Sequence, residues 1–325
     1  MEYLQAVGGL VLLVLAGDFL VRGSVSLAKR SGVPVLIIGL TIVAFGTSAP
    51  ELVVGVEAVL VGAPTLALGN VVGSNIANVL LVVGLPALVA PMTCTAPRLT
   101  KNLILMLGAT AVFIALAFTG GYSWWQGLIL LALLAAFLLY SAHRARTHTD
   151  DCDPTLAELE EEAEGQGDTA TIAVLFVLGG LLGLAVGANL LVNGSVTIAR
   201  SLGVSEAVIG LTLVAIGTSL PELVTAVAAA VRNHCDVAVG NVIGSNIFNL
   251  LGIIGISSLF GQIPVPDVFL RVDLWVMAAA SVALLPYCMY RAVIGRWTGV
   301  LMVSGYAAYL IYLTHSSAAM KHMMG

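Results

Sequence analysis

The chain has 325 residues, 59% of them hydrophobic and 10% charged, and its 13 Lys and Arg against 18 Asp and Glu give a net charge of −5. A mean hydropathy of +1.04 lies outside the range of soluble globular domains. The acidic balance excludes a nucleic-acid footprint, and nine of the 18 acidic residues fall in one stretch, from Asp150 to Asp168.

A bilayer core about 30 Å thick takes roughly 20 apolar residues as a helix. Such runs lie near residues 3–21, 34–62, 65–91, 102–119, 126–142, 171–193, 204–231, 237–260, 274–290 and 297–314. The expected fold is therefore an all-α membrane protein of about ten transmembrane helices. Runs such as Leu128 to Tyr140 are continuously apolar, where a barrel strand would alternate.

The first run has no basic stretch before it and no small-residue cleavage site after it, so it reads as a retained helix rather than a signal peptide. Near its end, Asp18 and Arg22 are four residues apart and are expected to pair locally. The second run carries GLTIVAFGTSAPELV at 39–53. Within it Thr47 and Ser48 precede Glu51 by four and three residues, which puts two hydroxyls and a carboxylate on one helix face. A carboxylate inside an apolar run is costly and normally faces a partner or a hydrated cavity. Pro50 has no N–H and its ring clashes with the carbonyl of Gly46, so a kink and a freed carbonyl are expected there. Glu57, farther along, reads as a hydrated rim residue.

The third run carries GNVVGSNIAN at 69–78. Ser74 and Asn78 are i,i+4 partners offering neutral oxygens, and Gly69 and Gly73 have the spacing that lets helices approach closely. After the fifth run comes Thr147–Thr169, with DDCDP and ELEEEAEG, a charged stretch that lacks the apolar residues needed to pack and reads as a solvated linker.

The second half repeats the first. GLTLVAIGTSLPELV at 210–224 matches 39–53 at 12 of 15 positions, and GNVIGSNIFN at 240–249 matches 69–78 at 8 of 10, both at an offset of 171 residues. Glu222, Thr218, Ser219, Pro221, Ser245, Asn249, Gly240 and Gly244 thus duplicate the first set. Five spans per half is an odd number, so the halves enter the membrane from opposite sides. Inverted repeats with helix interruptions near the midplane place a substrate site between them. The division is 1–142 for the first five-helix repeat, 143–170 for a cytoplasmic acidic linker and 171–325 for the second repeat.

Arg22, Lys29, Arg30, Arg98, Lys101, Arg144, Arg146, Arg232, Arg291 and Arg296 fall on one side of the membrane, against Arg200, Arg271 and Lys321 on the other. The positive-inside tendency then puts both termini outside and the central loop in the cytoplasm, in a multi-pass protein of the plasma (inner) membrane.

Glu51 and Glu222 converge on the pseudo-two-fold axis and supply two negative charges, with hydroxyl and amide oxygens around them. Ca²⁺ takes six to eight oxygen ligands, and Na⁺ is likewise a hard, oxygen-seeking cation. No GxSxG or HExxH is present, so no enzyme and no cofactor are expected. Cys94, Cys152, Cys235 and Cys288 are scattered without a CxxC and are given no role. A cation channel also uses oxygen ligands at midplane, but inverted repeats around one deep two-carboxylate site favour alternating access. The expected partners are small inorganic cations and the lipid bilayer.

GTSAPE at 46–51, GTSLPE at 217–222 and the paired GNVxGSNI segments resemble the two α-repeats of the cation/calcium exchanger superfamily, specifically its prokaryotic sodium/calcium exchangers. The resemblance covers both halves. It implies Ca²⁺/Na⁺ antiport with Glu51 and Glu222 as central ligands. Thr47, Ser48, Thr218, Ser219, Ser74 and Ser245 would complete flanking sites, with backbone help around Ala44 and Ala215. It also implies that the first helix of each repeat slides past the ion-binding helices. Many members carry an acid at one of the positions held here by Asn78 and Asn249. With amides at both, the two carboxylates balance one Ca²⁺ or two Na⁺. Antiport of Ca²⁺ or another divalent cation against H⁺ on the same pair is the alternative.

Overall fold

The computed structural model describes residues 2–31, 43–94, 97–147, 170–201, 217, 219–232 and 234–324. In lipid every backbone N–H and C=O must be satisfied within the protein, and the apolar runs meet that demand as helices. In chain order these are α1 (Glu2–Ser31), α2 (Ala44–Thr47), α3 (Ala49–Leu60), α4 (Pro64–Ala77), α5 (Gly84–Val89), α6 (Pro97–Ala117) and α7 (Trp124–Thr147). They continue as α8 (Ala170–Ser201), α9 (Leu220–Val231), α10 (Cys235–Ile247), α11 (Ile254–Phe260), α12 (Leu274–Ala283), α13 (Leu285–Met289) and α14 (Arg296–Met324). Among the described residues there is no strand, only the isolated bridges Met92–Ile294 and Tyr122–Ile263.

Seven stretches are long and apolar enough to cross a membrane: Glu2–Ser24, Pro64–Val89, Leu99–Ala117, Trp124–Ser141, Ala170–Leu191, Cys235–Phe260 and Phe269–Met289. Each falls on an expected run. The second and seventh runs lie partly outside the described residues, and so does the linker from 148 to 169.

Two kinds of helix irregularity recur at the repeat offset. The first is the proline break. Between α2 and α3, Ser48 sits at φ −86°, ψ 6°, and Ser219 holds the same joint before α9 at φ −89°, ψ 5°. Pro50 cannot donate to Gly46, but that carbonyl is not left free as expected, because a backbone N–H at the cap turns to meet it. The second is a π turn. Asn78–Val82 joins α4 towards α5, and Phe248–Ile253 joins α10 to α11. Each widens the helix right at Asn78 and Asn249, an irregularity common at functional sites.

Over an apolar 18-residue window, the span through α10 is 100% buried and that through α4 78%, against 33% for α1 and 28% for α8. The two GNVxGSNI helices are therefore the centre of the bundle, and α1 and α8 form its outer layer. Leu10, Val14, Leu175 and Leu178 on these outer helices are exposed, as lipid-facing side chains should be.

The outer pair packs backbone against backbone. A methyl group on Gly9 would lie 2.5 Å from the Leu191 nitrogen, and one on Gly180 would lie 2.8 Å from the Leu20 nitrogen. The same construction puts Gly23 at 2.8 Å from the Val177 nitrogen and Gly194 at 2.7 Å from the Ala6 nitrogen. Positions rise along α1 as they fall along α8, so the helices are antiparallel. Every contact also has its partner 171 residues away, the signature of a two-fold arrangement. Gly69 and Gly73, expected to perform this packing, do not. A methyl on Gly73 would meet nothing within 4 Å, and on Gly69 only the Phe269 ring at 3.8 Å.

Two links between distant segments complete the frame. Cys94, before α6, and Cys235, which opens α10, form a disulfide with a Cα–Cα distance of 5.4 Å, a role their spacing of 141 residues concealed. Asp18 on α1 accepts from Arg22 at 2.8 Å, as expected, and also from Arg232 Nε at 2.8 Å. The pair is thus not only local, since it ties α1 to the end of α9.

Candidate ion-binding site

The proline breaks and the two central helices bring the repeated motifs together. Glu51 enters at the first turn of α3 and Glu222 at the first turn of α9, and each is 1% exposed. Thr47, Ser48, Ser219, Ser74, Asn78, Ser245 and Asn249 are all buried as well. Ala215 and Thr218 lie outside the described residues.

The halves are joined through these side chains. Ser48 Oγ donates to Glu222 Oε1 at 2.8 Å, so the hydroxyl of one repeat holds the acid of the other. The carbonyl of Ala44 is a meeting point: it accepts from Ser48 N at 3.0 Å, Thr47 Oγ1 at 3.2 Å and, from the second half, Ser245 Oγ at 3.3 Å. Thr47 Oγ1 also lies 3.5 Å from Asn241 Oδ1, and Asn70 Nδ2 donates to the backbone oxygen of Glu51 at 3.4 Å.

Four asparagines form a second junction. Asn75 Nδ2 donates to the Asn246 carbonyl at 3.3 Å, and Asn246 Nδ2 to the Asn75 carbonyl at 3.4 Å. Asn78 Nδ2 donates to Asn246 Oδ1 at 3.1 Å, and Asn249 Nδ2 to Asn75 Oδ1 at 3.0 Å. Both bond types occur twice, related by the 171-residue offset, so the pseudo-two-fold axis runs through this cluster. Asn75 and Asn246 were not singled out from sequence, although they stand inside the repeated GSNI strings, where equal spacing marks them as axis neighbours.

What these groups leave unmade is chemically specific. Glu51 Oε2, Glu222 Oε2, Ser219 Oγ, Asn78 Oδ1 and Asn249 Oδ1 are buried and, among the described residues, have no hydrogen-bond partner. Buried acceptors without donors are uncommon and cost about 1–3 kcal/mol each. Oxygens of this kind, drawn from both halves and including two carboxylates, suit a hard cation and are unsuited to an anion. Asn241 Nδ2 is a buried donor in the same state. Among the described residues no group of three or more His, Cys, Asp and Glu gathers, so Glu51 and Glu222 stand without a third such residue.

The sodium/calcium exchanger protein family model matches residues 2–142 and 172–315. The chain belongs to the sodium/calcium exchanger family. It is 34% identical to the sodium/calcium exchanger MaX1 of Methanosarcina acetivorans, over 94% of this chain and 96% of that relative. It is 38% identical to the putative antiporter CaxA of Alkalimonas amylolytica, over 85% and 86% of the two chains. Among solved structures it is similar to the sodium-calcium exchanger NCX_Mj soaked with Na⁺ and Sr²⁺, with a TM-score of 0.81, 34% identity, and coverage of 95% of this chain and 97% of that one.

Proposed function

We propose that this chain is a secondary active antiporter that exchanges Ca²⁺ for Na⁺ across the membrane by alternating access. The observation that carries the reading is the set of buried oxygens, those of Glu51 and Glu222 among them, that no donor among the described residues satisfies. Two carboxylates balance one Ca²⁺ or two Na⁺, so either occupant leaves the site neutral, which is what a group of charges at membrane depth requires. In this reading Ser48, Thr47, Ser74, Ser219, Ser245, Asn78 and Asn249 serve as neutral ligands, with Thr218 and the backbone around Ala44 and Ala215 completing the set. The relatives named as sodium/calcium exchangers favour Na⁺ over H⁺ as the coupling ion.

The chain works as two repeats, 1–142 and 171–325, inverted about the axis and joined by a cytoplasmic acidic linker at 143–170. The distribution of Lys and Arg supports termini outside and the linker inside, in the plasma membrane. The test is ⁴⁵Ca²⁺ uptake into proteoliposomes preloaded with Na⁺, with Glu51→Gln and Glu222→Gln as controls. Uptake that needs the Na⁺ gradient and is lost in both variants is the expected result. Uptake driven by an H⁺ gradient alone would change the coupling ion, and full activity in either variant would remove the carboxylate pair from the mechanism.

A further inference from the structure

We infer that Asn75 and Asn246 are positioning residues that fix the orientation of the Asn249 and Asn78 amides, so that each presents its oxygen to the transported cation. The inference rests on the reading of Asn78 and Asn249 as ligands. An asparagine amide has an acceptor end and a two-proton donor end, and a half-turn about its last torsion exchanges them. A cation is attracted by the first and repelled by the second, so a ligand amide needs something to hold its nitrogen away from the ion.

The crossed hydrogen bonds provide this. Asn246 Oδ1 takes the Asn78 nitrogen at 3.1 Å and Asn75 Oδ1 takes the Asn249 nitrogen at 3.0 Å, which leaves Asn78 Oδ1 and Asn249 Oδ1 as the ends without a donor among the described residues. The clamping amides are themselves held, because each donates to the other's backbone carbonyl, at 3.3 and 3.4 Å. Asn75 and Asn78 are three apart on one helix face, as are Asn246 and Asn249, yet each clamp acts on the opposite half. An aspartate would lack the donor that anchors the clamp, and a serine is too short to reach.

The crossed pattern sets a test that a general packing role would not reproduce. In Na⁺-driven ⁴⁵Ca²⁺ uptake, Asn246→Ala is expected to raise the KM for Ca²⁺ by about three- to tenfold, the worth of one net hydrogen bond, with a smaller change in kcat. In an Asn78→Ala background the same substitution should add almost nothing. In an Asn249→Ala background it should keep its full effect, and Asn75→Ala should show the reverse pairing. Equal effects in both backgrounds, or a lowered Tm with KM unmoved, would overturn the inference. If Asn78→Ala and Asn249→Ala leave KM unchanged, the ligand reading fails and the clamp with it. If they raise KM without the crossed coupling, only the clamp fails. Where an alanine variant does not fold, Asn246→Ser and Asn75→Ser remove the same bond with less lost volume, and the same pairing is expected.

Discussion

Neighbouring glycines on the outer helices give a controlled measure of how tightly that pair is built. A methyl on Gly9 would lie 2.5 Å from the Leu191 nitrogen and 2.8 Å from the Gly187 oxygen, both backbone atoms that cannot swing aside, whereas one on Gly8 would meet nothing within 4 Å. Ordinary non-bonded contact begins near 3.5 Å, so Gly9→Ala forces α1 and α8 apart by about 1 Å at that crossing. Overpacking of this kind costs about 1–3 kcal/mol, while alanine in place of an unconstrained helical glycine gains about 0.5–1 kcal/mol. Both positions are helical and share that gain, so the two substitutions should differ by the overpacking alone, about 1–3 kcal/mol, although they are adjacent in sequence. The second repeat holds a replicate in Gly180, which has Leu20 at 2.8 Å, and Gly179, which has nothing within 4 Å. Thermal unfolding of detergent-solubilised protein would read the difference, with Gly8→Ala and Gly179→Ala at or above the parent Tm and Gly9→Ala and Gly180→Ala several degrees below it. Indistinguishable melting of the two members of either pair would refute the close approach.

Ca²⁺ at about one hundred times its Kd should stabilise the folded protein by roughly 2.7 kcal/mol, and Glu51→Gln or Glu222→Gln should abolish the resulting rise in Tm. A rise retained by both variants would place the ion elsewhere. Asp18→Asn breaks the tie between α1 and Arg232, whose side chains are 31% and 32% exposed, so its effect on turnover should stay within about fivefold and shrink at high salt. A salt-independent change would point to packing instead. Maleimide should label Cys94 and Cys235 after reduction only, and reduced protein should melt below oxidised protein, because the bond closes a long loop. Labelling at Cys94 or Cys235 without reductant, read in a Cys152→Ser, Cys288→Ser background, would show two free thiols.

The sequence made the site legible because its chemistry is duplicated. A Glu–Pro pair in two apolar runs at one offset has few structural uses, and both breaks fall at Ser48 and Ser219, one residue before the helices that carry the acids. Long-range registers were less visible. Nothing in the periodicity of Asn78–Val82 announces a π turn, since one added residue per turn leaves an apolar run looking the same. The amide cluster and the Cys94–Cys235 bond depend on how two halves meet, which no spacing within one half encodes. Glycines misled for the same reason. Gly69 and Gly73 have the spacing of a packing motif but open surroundings, while Gly9, Gly23, Gly180 and Gly194 find their partners on a helix more than 150 residues away.

The seam between α1 and α8 bears on how the two sides of a membrane are kept from opening together. Helices whose backbones approach this closely at four levels share a long contact surface, so a displacement of one along the central bundle is expected to carry the other with it. Being antiparallel, the pair presents the start of one repeat's first helix and the end of the other's at each face. Any stroke of the pair towards one compartment withdraws it from the second by the same length. In the alternating-access reading proposed above, access on one side and closure on the other would then be one displacement seen from two ends.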